Sequence, residues 1–214
     1  MIKRVIFDQD DTLVSWTEEN WNTLNEAFLE LSYELKEEEK QAIIKCIDNY
    51  EKEYSMYVKE DMYEYINKEL NTILPHNWID TWLDKLSVRN SLLEPNIKEI
   101  LDYLKEKYEL VVLTNWFSIS QINILKKLGI YHYFDEFVGT DEVLNKPNSE
   151  AFIRACGNKK LEECIMIGDN FKTDIIGAYN AGMEAIWYNR KQKQAAEKVK
   201  VMEIKDLLDL KKYL

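Results

Sequence analysis

Short apolar runs recur along the chain, and each stops at a polar residue. They are "RVIFD" (4–8), "ELVVLTN" (109–115), "ECIMIGD" (163–169) and "EAIWYN" (184–189), with a weaker one in "FDEFVGT" (134–140). Runs rich in Val and Ile, apolar at successive positions, predict strands buried on both faces. Between them the apolar period lengthens to that of a helix. "NIKEILDYLKEKY" (96–108) has apolar residues at 97, 100, 101 and 104, behind Pro95. "SISQINILKKLGI" (118–130) predicts a helix stopped at Gly129, and "NSEAFIRAC" (148–156) one capped by Asn148 behind Pro147. "TDIIGAYNAG" (173–182) predicts a helix stopped at Gly182. Strand–helix alternation predicts an α/β fold: a doubly wound parallel sheet with right-handed crossovers.

Residues 15–92 have a different pattern. They hold long amphipathic stretches such as "ENWNTLNEAFLELSYEL" (19–35) and "EEEKQAIIKCIDNYEKEYSMYV" (37–58), no strand-like run, no Gly and only Pro75. The expected organisation is therefore an α/β core built from 1–14 and 93–214, with an all-helical insert at 15–92. Charge separates the two parts as well. The insert carries 17 acidic and 8 basic residues, a net of −9, and the rest 22 and 20, a net of −2, which together give the −11 of the whole chain. That balance argues against a nucleic-acid polymer as partner.

The three cysteines, Cys46, Cys156 and Cys164, are widely spaced and form no CxxC pair. They predict reduced thiols packed as small core residues. No apolar stretch is long enough for a membrane span, and the N-terminus lacks a signal-type apolar region. The expectation is a cytoplasmic protein with no membrane partner, and a monomer rather than an oligomer.

In an open α/β sheet, ligands bind beyond the carboxyl ends of the strands. Asp8, Thr114 with Asn115, and Asp169 fall at such ends, and Lys146 lies in the loop after the weaker strand. Asp8, Asp10 and Asp169 together bring more negative charge than a buried site can leave unpaired. A hard divalent cation and Lys146 would offset it, and oxygen-only ligands suit Mg²⁺. Two carboxyl groups, a metal, a lysine and a small hydroxyl fit phosphoryl transfer through an aspartyl-phosphate.

The sequence resembles the haloacid dehalogenase (HAD) superfamily in four motifs taken in order. These are D-x-D-x-T at Asp8–Thr12, the strand "VVLTN" with Thr114, "NKPNSEAF" with Lys146, and G-D-x-x-x-x-D with Gly168, Asp169 and Asp174. The resemblance covers 1–14 and about 93–190. It implies a Rossmann-like core with a helical cap inserted after the first motif. It also implies the roles. Asp8 is the nucleophile. Asp10 protonates the leaving oxygen and then activates water. Thr114, the backbone around Asn115, and Lys146 hold the phosphoryl group. Mg²⁺ sits between Asp8, the backbone carbonyl of Asp10, and Asp169. Asp174 either acts on a metal-bound water, supports the ligands, or simply caps the following helix.

Dehalogenating members lack the second aspartate, so Asp10 favours phosphate chemistry. The residue after it is often Gly in the family and here is Asp11, a departure at a turn. The leading expectation is a Mg²⁺-dependent phosphomonoesterase for a small phosphorylated metabolite, with a nucleoside 5′-monophosphate as one candidate. A phosphoglucomutase-like phosphotransferase and a non-catalytic binding protein are the alternatives. Trp16, Trp21, Tyr54, Tyr57, Trp78 and Trp82 are expected as core of the insert rather than as a substrate cage, and Asn170 as a structural residue. Trp116 is bulky for a site rim and would narrow the pocket or stack on a ring.

Overall fold

The computed structural model describes residues 1–195 and 199–214. Its strands are β1 (Arg4–Phe7), β2 (Val14–Ser15), β3 (Leu92–Leu93), β4 (Glu109–Leu113), β5 (Glu136–Val138), β6 (Cys164–Gly168), β7 (Glu184–Tyr188) and β8 (Met202–Ile204). Its helices are α1 (Asn22–Glu30), α2 (Glu37–Glu53), α3 (Lys59–Leu70), α4 (Trp78–Val88), α5 (Ile97–Lys105), α6 (Ser118–Lys127), α7 (Ser149–Cys156) and α8 (Gly177–Ala181). Six strands form one sheet in the order β5-β4-β1-β6-β7-β8, and every pair in it is parallel.

The sheet is covered on both faces, as its unbroken apolar strands require. Side chains of β1 alternate between the two sides. Val5 and Phe7 pack with α5 and α6 through Ile100, Leu104, Ile124 and Leu125. Ile6 packs with α7 and α8 through Phe152, Ala155 and Ala178. The glycine stops fall where the pattern placed them. Gly129 and Gly182 follow α6 and α8 with φ of 71° and 89°, a backbone state that costs glycine little. Asn148 caps α7 by accepting from the Glu150 amide. All three cysteines are free and buried.

Helices α1–α4 hold an apolar cluster of their own, with Phe28, Ile43, Ile47, Tyr57, Trp78 and Trp82 at its centre. Phe117, from the loop after β4, joins that cluster and ties it to the sheet. The chain leaves and re-enters at an antiparallel ribbon, Val14 opposite Leu93 and Ser15 opposite Leu92. This ribbon and β8 are strands that periodicity did not predict, because two or three residues are too few to show a period. Among the described residues no helix is long and apolar enough to cross a membrane.

Candidate active site

Strands β1, β4 and β6 end side by side, and the turns after them carry the polar residues that stop their apolar runs. The Asp8 amide donates to the Ile167 carbonyl (2.9 Å) and the Thr114 amide to that of Val138 (3.0 Å), so both residues remain in register with the sheet edge. Beyond Asp8 the chain turns sharply, and the Gln9 carbonyl accepts the amides of Leu13 and Val14. Asp11 adopts φ 60° within this turn. A short polar side chain tolerates that state. Its carboxylate accepts from the Trp16 amide (3.1 Å) and pairs with Lys191 (2.6 Å).

Lys146 lies at the centre. It is 2% exposed, and its ammonium donates to Asp8 Oδ1 and to Asp174 Oδ1, both at 2.7 Å. Burial alone would lower its pKa, but the carboxylates of Asp174 and Asp8 outweigh burial and hold it above the ordinary lysine value. Burial pushes Asp8 well up, Lys146 opposes this, and the charges of Asp174 and Asp169 add to it. Lys146 and the Lys193 ammonium beside Asp169 bring two positive charges to three carboxylates, which leaves one negative charge over. Asp8, Asp169 and Asp174 each present a carboxylate oxygen within 4.8 Å of the other two. A site made only of oxygen donors, with charge left over, fits Mg²⁺.

The approach of Asp174 depends on Gly168, where a Cβ would stand 2.3 Å from Asp174 Oδ2. The helix begins with a π turn, Phe171–Ile176, ahead of α8. Asn170 caps this turn by accepting from the Lys172 and Thr173 amides, the structural role expected of it. Asp174 is therefore not the cap. It is 1% exposed and faces inward to Lys146.

Asp10 points the other way. Gln121 donates to its Oδ2, and Arg89 lies 3.4 Å from its Oδ1. Burial pushes its carboxyl up, with Arg89 and Gln121 opposing. Its side chain is outside the three-carboxylate cluster. The Asn115 side chain is also committed elsewhere. It exchanges two hydrogen bonds with the Lys146 backbone (2.7 and 2.8 Å) and so fixes the lysine loop.

Thr114 and Asn115 line a pocket of about 370 Å³ together with Asp8, Asp10, Lys146, Asp169 and Asp174. The expected site residues therefore converge on one space. Its opposite wall comes from Trp16, Trp21, Ile47, Asp48, Glu51 and Trp116. Tyr57, Trp78 and Trp82 are buried as expected, whereas Tyr54 is exposed at the end of α2 rather than part of the core, and Trp16 and Trp21 also face the pocket. Trp116 packs edge-on against Trp82 and Tyr57 (5.5 and 5.2 Å), which fixes it as part of that wall.

Residues 5–188 match the profile of the haloacid dehalogenase-like hydrolases. The chain is a haloacid dehalogenase-like hydrolase. The hydrolase is 34% identical over 212 residues to a glyceraldehyde 3-phosphate phosphatase of Methanothermobacter thermautotrophicus, covering 91% of this chain and 89% of that one. It is 26% identical to the pyrimidine 5′-nucleotidase YjjG of Escherichia coli, covering 90% and 88%. Its fold is similar to that of the HAD-hydrolase YfnB of Bacillus subtilis, solved with magnesium, with a TM-score of 0.75 at 19% identity over 99% and 98% of the chains.

Four residues that shape the site of this hydrolase escaped the sequence reading: Arg89, Gln121, Lys191 and Lys193. Lys193 pairs with Asp169 Oδ2 at 2.7 Å. The two lysines follow the end of β7, and the strand-end rule applied to β7 as it was to β1, β4 and β6 would have found them. Arg89 and Gln121 sit on or beside helices without a motif, and only tertiary packing reveals them.

Proposed function

We propose that this hydrolase cleaves a small phosphoric monoester, with Asp8 as nucleophile and Asp10 as the proton donor and acceptor. One observation carries the reading. Two carboxyl groups from one turn have different partners: Asp8 is paired with Lys146 beside the acidic cluster, while half-buried Asp10 lies outside it and faces Arg89 and Gln121. Paired carboxyls whose surroundings separate their roles are the mark of acid–base assignments. A carboxylate oxygen of Asp8 attacks phosphorus, the ester P–O bond breaks, and Asp10 delivers its proton to the leaving oxygen. Asp10 then takes a proton from the water that cleaves the acyl phosphate. Thr114 and the amides around Asn115 would bind phosphoryl oxygens, and Lys146 would offset their charge.

Asp8, Asp169 and the Asp10 carbonyl would hold Mg²⁺, with Asp174 supporting the set. The ion would supply positive charge to the phosphoryl oxygens. Helices α1–α4 act as a cap that closes the pocket over the phosphate. The relatives named as acting on glyceraldehyde 3-phosphate and on pyrimidine nucleotides support a compact monophosphate as substrate.

The test is hydrolysis of an aryl phosphate with and without Mg²⁺. Activity should require the cation and stop on chelation. Asp8→Asn should lower kcat by on the order of 10⁴ or more while the protein keeps its fold. Turnover near that of the unsubstituted protein in Asp8→Asn would overturn the assignment.

A further inference from the structure

The pocket walls differ in how their charges are matched. On the core side every carboxylate has a cation. Asp8 and Asp174 share Lys146, Asp10 faces Arg89, Asp11 pairs with Lys191, and Asp169 pairs with Lys193. On the opposite side Asp48 and Glu51 project from α2 into the same pocket. Both are exposed. Among the described residues neither has a basic side chain within salt-bridge distance. The same wall carries the indoles of Trp16 and Trp21, packed edge-to-face at 5.7 Å, with Trp21 stacked on buried Trp82 at 5.6 Å.

This wall is placed by the lysine loop itself. The Asn145 amide donates to the Ser55 carbonyl at 2.7 Å, next to Lys146, so the chain just beyond α2 is pinned to the phosphate side of the site. A monoester with its phosphate at Lys146 must turn its leaving group toward Asp48, Glu51 and the indoles. Two unmatched carboxylates beside aromatic faces attract hydrogen-bond donors and cations. They repel anions, and like charges placed together cost several kcal/mol when desolvated.

We propose that Asp48 and Glu51 set the substrate class of this site: monoesters whose leaving group brings hydrogen-bond donors or positive charge, and no second anionic group. The inference rests on the phosphomonoesterase reading and deepens it. It also gives the acidity of the insert a function, since two of its carboxylates face the reaction rather than bulk solvent alone.

The experiment compares kcat/KM for O-phosphoethanolamine, glycerol phosphate and phosphoglycolate at fixed free Mg²⁺. In the unsubstituted protein phosphoglycolate should be the poorest by on the order of tenfold, and high ionic strength should narrow the gap. The double variant Asp48→Asn with Glu51→Gln should raise kcat/KM for phosphoglycolate severalfold, mainly through KM, and lower that for O-phosphoethanolamine. Both side chains are exposed, so the variant should melt close to the unsubstituted protein. The salt dependence of the unsubstituted protein is an independent measurement that needs no variant.

Preference for phosphoglycolate, or a gap that neither salt nor the double variant moves, would overturn the proposal while p-nitrophenyl phosphate is still hydrolysed. If no monoester is hydrolysed, including p-nitrophenyl phosphate, the phosphomonoesterase reading is lost and this inference with it.

Discussion

At the scale of single residues, the turn after β1 shows how one position can be strained and useful together. Asp11 adopts φ 60°, where a residue with a Cβ loses about 1–2 kcal/mol relative to the right-handed state. Its carboxylate offsets part of that cost through the Trp16 amide and Lys191. Asp11→Gly removes the strain and the contacts, while Asp11→Ala removes only the contacts. The glycine variant should therefore be the more stable of the two by about 1 kcal/mol in urea denaturation. An alanine variant as stable as the glycine variant would show that the turn relaxes on substitution. That Asp8 and Asp10 belong to one site was legible in the motif around them, and both line the same pocket. The opposite directions of their side chains were not, because Arg89 and Gln121 arrive from positions 79 and 111 residues away in the chain.

At the scale of elements, the segment after β7 acts as a cationic strap. Asn189 is 4% exposed and holds the Lys193 backbone through both its amide and its carbonyl oxygen (2.9 and 2.8 Å). Arg190 reaches buried Glu94, Lys191 reaches Asp11 and Lys193 reaches Asp169. The Lys193 ammonium thus occupies an oxygen of a proposed Mg²⁺ ligand. Lys193→Gln should tighten Mg²⁺ binding severalfold by calorimetry, since a competing cation is removed; weaker binding would mean that Lys193 assists the ion instead.

Protons compete at the same carboxylate. Burial raises Asp169 to about 6, with Lys193 opposing. Below that pH a proton must leave before the cation binds. Affinity should therefore be flat above neutrality and fall by up to about tenfold per pH unit below about 6. Strands β1, β4, β6 and β7 were legible because burial on both faces leaves a near-continuous apolar run, whereas β5, a three-residue strand at the sheet edge, gave only a weaker one. The strap was not, since "NRKQKQ" reads as solvated charge until the sheet places it beside Asp169.

At the scale of the whole molecule, charge links the two parts of the chain. The sheet end gathers carboxylates that the unfolded chain would keep apart in water, and α2 adds two more from above. In the metal-free protein this arrangement resists folding, because burial holds the carboxyls of Asp8, Asp10 and Asp169 above their ordinary values. A divalent cation that binds only the folded arrangement should stabilise it by about 2.7 kcal/mol at a concentration 100 times Kd. For a chain of this length that corresponds to a rise in Tm of roughly 5–10 °C. Asp169→Asn should abolish the rise while leaving the metal-free Tm unchanged or higher, since it removes a charge raised by burial. Matched ionic strength from a monovalent salt should not reproduce the shift, because screening acts on exposed pairs and the cluster lies at the buried end of the sheet. A Tm that monovalent salt raises as much as Mg²⁺ would show that general screening, not a bound cation, offsets the charge of the site.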